Sequence, residues 1–196
     1  MSTTKKNKYH SKLKNCYYAP ATIDEEAGKI TYADPVRIWL SMSIALSPKG
    51  DLIVVHADGQ EVMLGSDNAG YDGDLEMLRV PESFETDCLG AIKNADGTIT
   101  ETTESSSKPF ALLFEFDADA KNIRHCLFLC YAKRPSVEAG NSETKAPTNE
   151  KLSISARPTP DGYIKTKTGD STTAEAYDNW YKSVPVPAAP TESTEE

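Results

Sequence analysis

The chain is predicted to be mainly β: a β-sandwich or partly closed barrel with one flanking α-helix and a short C-terminal helix. Three observations predict it. Short stretches of strict apolar/polar alternation recur along 196 residues. Turn pairs such as Asp58-Gly59, Asp96-Gly97 and Asp161-Gly162 separate them. Only two short stretches carry helix-start signals, at Pro81 and at Thr172–Glu175. Length allows one domain with a real core.

The run 108–135, KPFALLFEFDADAKNIRHCLFLCYAKRP, is the strongest signal. Phe110, Leu112, Phe114 and Phe116 fall on one face of a first strand, Ala111, Leu113, Glu115 and Asp117 on the other. After a polar turn, Ile123, His125, Leu127, Leu129 and Tyr131 share a face opposite Cys126, Phe128 and Cys130. A strand apolar on both faces must be covered on both.

The remaining elements are taken in chain order. Residues 1–14 hold five lysines and no acid, and are expected to form a flexible basic arm. A short strand at Cys16–Tyr18 ends at Ala19-Pro20, and Ile23–Gly28 is a charged turn. Residues 36–46 alternate as one strand, with Val36, Ile38, Leu40, Met42, Ile44 and Leu46 facing Arg37, Trp39, Ser41, Ser43 and Ala45. Residues 47–51 turn, and residues 52–57 and 60–64 form a hairpin. Residues 71–80 make another strand, and the Asp72-Gly73-Asp74 run with Glu76 reads as a solvated turn at its start rather than a cation site. Residues 81–89 are helical, with Pro81 at the first helical position and Gly90 as the stop. Residues 92–100 form a small hairpin, 101–108 a polar loop and 134–150 a long polar loop. Residues 152–156 and 163–166 are strands. Thr172–Glu175 matches a capping box before a helix over 173–182, which carries Tyr177, Trp180 and Tyr181. Residues 15–183 thus form the folded domain, and residues 184–196 a disordered Pro-rich acidic tail.

Composition narrows the functional classes. Hydrophobic residues make up 38% of the chain and mean hydropathy is −0.50, the profile of a water-soluble protein. No apolar run is long enough to span a bilayer, and the N-terminus lacks the apolar core of a secretory signal. Net charge is −9, and outside residues 1–14 the remaining 16 basic residues face 30 acidic ones, a balance of −14. Such a body disfavours tight binding to phosphate backbones. Cys126 and Cys130, four residues apart on one strand face, would be separated by about 13 Å. That is too far for a disulfide. The four cysteines therefore read as reduced thiols of a cytoplasmically made protein.

Chemistry-bearing motifs are scarce. His10, His56 and His125 are scattered and read as structural. No nucleophile elbow, phosphate loop or dinucleotide fingerprint occurs. The expectation is a non-enzyme with no cofactor and no metal. Two aromatic groups, Tyr17-Tyr18 and Tyr177/Trp180/Tyr181, fit either core packing at the chain ends or subunit contact.

Five stretches, in this order and spacing, carry a resemblance: CYYAP at 16–20, GYDGDLEMLRVPESFETDCLG at 70–90, KPFALLFEFDADAKNIRHCLFLCYAKRPS at 108–136, LSISARPTPDG at 152–162 and YDNWY at 177–181. Together, from about residue 15 to 183, the chain resembles the major tail protein, or tail tube protein, of long-tailed siphophages, of the phi13-type family. The resemblance implies a virion structural protein whose subunits join their sheets into rings, usually hexamers. The rings stack into a hollow tube through which the genome leaves. It implies assembly in the host cytoplasm and a place in the virion tail. The implied partners are further copies of the chain, the tail tip or initiator, tape-measure and tail terminator proteins. DNA would be met only in transit, and no membrane is involved.

Head-to-tail stacking is a heterologous contact that builds filaments, and an acidic lumen would let DNA slide. Assembly residues expected on this reading are Tyr17, Tyr18, Arg134, Pro135, Tyr177, Trp180 and Tyr181. The basic arm and the 134–150 loop would order when the next ring arrives. Ser41 and Ser43 are candidates for the lumen face or for ordinary solvent surface. The competing class is a monomeric β-sandwich module of the virion that binds a receptor or a carbohydrate.

Overall fold

A computed structural model describes residues 6–57, 60–118, 120–137 and 148–187. The strands are β1 (His10–Asp24), β2 (Lys29–Tyr32), β3 (Val36–Ile38), β4 (Ser41–Lys49), β5 (Leu52–Ala57), β6 (Gln60–Ser66), β7 (Gly70–Met77), β8 (Ile92–Lys93), β9 (Ile99–Thr100), β10 (Phe110–Ala118), β11 (Ile123–Ala132), β12 (Glu150–Arg157) and β13 (Lys165–Lys167). The helices are α1 (Glu82–Cys88) and α2 (Ala174–Asp178). The fold is mainly β, as expected.

One antiparallel nine-stranded sheet organises it, in the order β2-β1-β10-β11-β12-β7-β4, with β3 added to β1 and β13 to β11. Its hydrogen-bonded path does not close into a ring. The two ends are instead tied by the chain itself: β3 pairs with β1, β4 pairs with β7, and only Trp39 and Leu40 lie between them. The sheet therefore wraps round a core to which both ends contribute. Cys16 and Tyr18 of β1, Ile38 of β3, Leu75 and Met77 of β7, Phe110, Leu112 and Phe114 of β10, and Leu152 and Ile154 of β12 form one buried cluster. Helix α1 plugs it with Phe84 and Cys88; Phe84 meets Tyr18 and Phe110 edge-on at 5.0 and 5.2 Å. Gly73 shows how tightly the strands pack: a Cβ there would lie 1.9 Å from the Ala45 carbonyl oxygen.

The opposite face of the β1–β10–β11 region is also covered, as its two-faced apolar pattern requires. Ala19, Ala111, Leu113, Cys126 and Phe128 bury against Trp180 and Val184 of the C-terminal segment. Val184 thus belongs to the folded domain rather than to a disordered tail, and residues 188–196 lie outside the described residues.

Four expectations are corrected. First, β1 starts at His10 and runs through Pro20, so residues 10–14 are not a free arm. Leu13 packs on the core, His10 stacks on Phe116 at 5.0 Å and Lys14 pairs with Asp117 at 2.9 Å. Pro20 stays within the strand, opposite Phe110, and its carbonyl accepts from the Ala33 amide at 2.9 Å. Second, residues 36–46 are two strands. Leu40 takes a left-handed φ of 59°, and a bulge falls between Ser41 and Ser43 in the pairing with β7. Ile38, Ile44 and Leu46 face the core, while Val36, Leu40 and Met42 stay exposed. Third, β11 slips by a residue between its pairings Leu127↔Leu112 and Cys130↔Phe110. Such a slip moves the later residues of the strand to the other face. Cys126 therefore lies in the outer cluster and Cys130 in the inner one, not on one face. Fourth, the cap of α2 is Thr173, whose hydroxyl accepts from the Ala176 amide at 3.3 Å. Thr172 instead accepts from the Gly169 amide at 2.8 Å. In α1, likewise, Pro81 is the N-cap rather than the first helical residue.

Candidate assembly surface

Asp72, Asp74 and Glu76 alternate along β7 with core residues, so all three point away from the core. They are strand residues and not a turn. β4 places Ser43, Ala45 and Ser47 opposite them on one side, and β12 places Lys151, Ser153 and Ser155 opposite them on the other. The result is a three-strand polar face. Ser43 donates to Glu76 Oε2 at 2.8 Å. Asp72 accepts from Ser155 at 2.6 Å and from Lys49 at 3.0 Å, and these two bonds, Ser155 first, hold its carboxyl below the usual range. Asp74 accepts from Lys151 at 2.9 Å and Ser153 at 2.8 Å, and is lowered for the same reason, Lys151 first. Exposed pairs of this kind add little stability. Their effect is chemical: Asp72, Asp74 and Glu76 lie among Lys49, Lys133, Lys151 and Arg157, so the face is polar, hydroxyl-rich and carries no excess of negative charge. It is not the acidic surface expected of a lumen.

Ser43 lies on this face. Ser41 does not join it in the same way: it sits at the bulge, half-buried, with its hydroxyl donating to the Ile38 carbonyl at 3.4 Å.

At the β3–β4 break the surface changes character. Val36, Trp39, Leu40 and Met42 are 38%, 63%, 64% and 49% exposed. The Arg37 guanidinium lies 4.0 Å above the Trp39 ring and donates to Asn15 at 3.2 Å. This apolar lip borders an open groove of about 300 Å³ lined by Leu13, Lys14, Asn15 and Arg37. Sequence reading missed the lip. The available signal was Trp39, which strict alternation assigns to the polar side with Arg37 and Ser41.

The expected assembly residues separate. Tyr18 is fully buried and its hydroxyl donates to Asp87 at 3.1 Å. Trp180 is buried in the outer cluster. Tyr17 stacks on Tyr181 with ring centroids 4.6 Å apart, so the two aromatic groups meet each other. Beneath them Glu115, 2% exposed, accepts from Asn15, Asn122, Arg124 and Tyr181 at 2.8, 3.0, 3.0 and 3.1 Å. Arg124 also donates to the Tyr177 carbonyl and lies 3.7 Å from the Tyr177 ring centroid. This buried ion pair fastens the C-terminal segment to β10 and β11. The Tyr181 hydroxyl loses its proton far less readily than a free phenol, because of burial and then the Glu115 carboxylate. Arg134 is exposed and pairs with Glu101 at 3.1 Å, beside the half-buried Pro135. Residues 138–147 of the expected ordering loop, and residues 1–5 of the arm, lie outside the described residues.

No described helix is long and apolar enough to cross a membrane. Comparison with known proteins finds no family model that matches the chain and no curated protein that matches it.

Proposed function

We propose that this chain is a self-assembling structural protein whose copies associate through their β-sheets. Within that class, the reading it supports best is the tail tube subunit of a long-tailed bacteriophage. Copies would form rings, and the rings would stack into the hollow conduit for genome ejection.

The observation that carries the proposal is the open sheet. Strand β4 ends the hydrogen-bonded order, and over nine residues its outer edge has no ladder partner among the described residues. Exposed edges of that length are templates for pairing with another chain.

Negative-stain electron microscopy of concentrated protein tests this. Hollow tubes of uniform width are expected. Protein that shows no tubes in solution and is missing from intact tails would sink the proposal and favour the virion binding module.

A further inference from the structure

Two apolar features of the chain sit at opposite ends of one β-arm. The first is the lip of Val36, Trp39, Leu40 and Met42. The second is the β5–β6 hairpin. Its strands pair with each other, from Leu52↔Ser66 to Ala57↔Gln60, and with no other described strand. Its base continues the β4–β7 ladder, since the Asp67 amide donates to Asp51 at 2.9 Å and the Ala69 amide to Lys49 at 2.8 Å. Ser41–Met77 is therefore one long antiparallel arm, of which only the β4–β7 half belongs to the sheet.

A two-stranded ribbon alone in water is marginal. The sequence of this one, LIVV at 52–55 and VML at 62–64, is apolar without alternation, the pattern of strands covered on both faces. Leucine is also a poor residue for the backbone at position 40, whose φ is 59°. Nothing in its own fold accounts for a large apolar side chain there, 64% exposed.

We infer that the β5–β6 hairpin of one copy packs on the Val36–Met42 lip of the next, as the head-to-tail contact between copies. The inference rests on the self-assembly reading above and names its interface. Leu40 and Leu52 are twelve residues apart along the arm, roughly 40 Å when extended. The hairpin therefore does not reach its own lip. The charges match as well. Residues 50–70 hold Asp51, Asp58, Glu61 and Asp67 and no lysine or arginine, whereas Lys14 and Arg37 line the groove beside the lip. Because donor and acceptor are different surfaces, the contact propagates rather than closing on a dimer.

The test uses the full chain. Leu40→Asn suits the left-handed backbone, so the monomer should unfold at the same temperature or higher. The concentration at which assemblies form, read by sedimentation velocity and negative stain, should rise about tenfold or more as the apolar contact is lost. A second arm pairs Met42→Cys with Gln60→Cys under a bis-maleimide cross-linker. The four native thiols are buried, so only the introduced ones react. The double variant should give a ladder extending beyond dimers, and each single variant should stay monomeric. Tubes that form from Leu40→Asn at the wild-type concentration overturn this contact but spare the tube reading. Solid single-width filaments that Leu40→Asn abolishes keep the contact and sink the tube. Dimers from Met42→Cys alone show lip against lip and overturn the inference, as does a double variant that gives no ladder.

Discussion

His125 shows how one residue ties the interior to pH. Its ring stacks on Phe114 at 5.1 Å and meets Phe116 edge-on at the same distance. Burial, then Lys165, Lys167 and His10, pushes its pKa down from 6.5 to about 4. The unfolded chain therefore takes up this proton first, and stability falls as pH drops from about 6.5 towards about 4. The loss is about 3 kcal/mol at most, reduced because the ring is only half-buried. His125→Phe keeps the stacking and should flatten the urea midpoint between pH 6.5 and 4.5; a wild-type slope in that variant would refute the assignment. Asp72 and Asp74 act in a separate window. Their carboxyls are lowered from 3.8, so the stability they contribute is lost only as pH falls below that value.

At the scale of elements, the C-terminal segment behaves as a cover laid over the outer face of the sheet. Trp180→Ala should cost about 3–5 kcal/mol and uncover Cys126, which shares its cluster. Cys16, Cys88 and Cys130 belong to the inner cluster and should stay protected. Thiol labelling in native buffer should then count one reactive cysteine per chain. Four thiols labelled at one rate would mean that the cover and the sheet unfold together.

The elements legible in the sequence are those fixed by local chemistry. Alternation marks β10, Asp58-Gly59 marks the β5–β6 hairpin, Asp96-Gly97 marks β8–β9, and Pro81 and Gly90 bracket α1. The slip in β11 leaves no such mark, because Leu127, Phe128, Leu129 and Cys130 are all apolar and read the same in either phase. The start of β1 was hidden for the opposite reason: His10–Lys14 are mostly polar, and the apolar partners that order them, Phe116 above all, come from more than a hundred residues away. Of the candidate surface, Ser43 was legible from its small polar strand face. The pairing that sets it beside Glu76, and β7 beside β12, joins segments far apart in the chain and has no local signature.

For the whole molecule, the basic N-terminus can be separated from the fold. Asn7 holds the 120–121 turn, accepting from the Ala120 and Lys121 amides at 2.9 Å and donating to the Lys121 carbonyl at 2.7 Å. A chain lacking residues 2–6 keeps these bonds and loses two lysines. It should melt as the wild type does and assemble only at higher concentration; tubes at the wild-type threshold would show that the N-terminus plays no part in stacking. The cysteines carry one last implication. All four are free and buried, and burial raises each thiol above its ordinary pKa, Cys16 to about 11 and the others further. Almost no thiolate exists at neutral pH to start oxidation or disulfide exchange. A chain folded under reducing conditions should therefore keep the same covalent structure when released into air-saturated water, its four thiols still free.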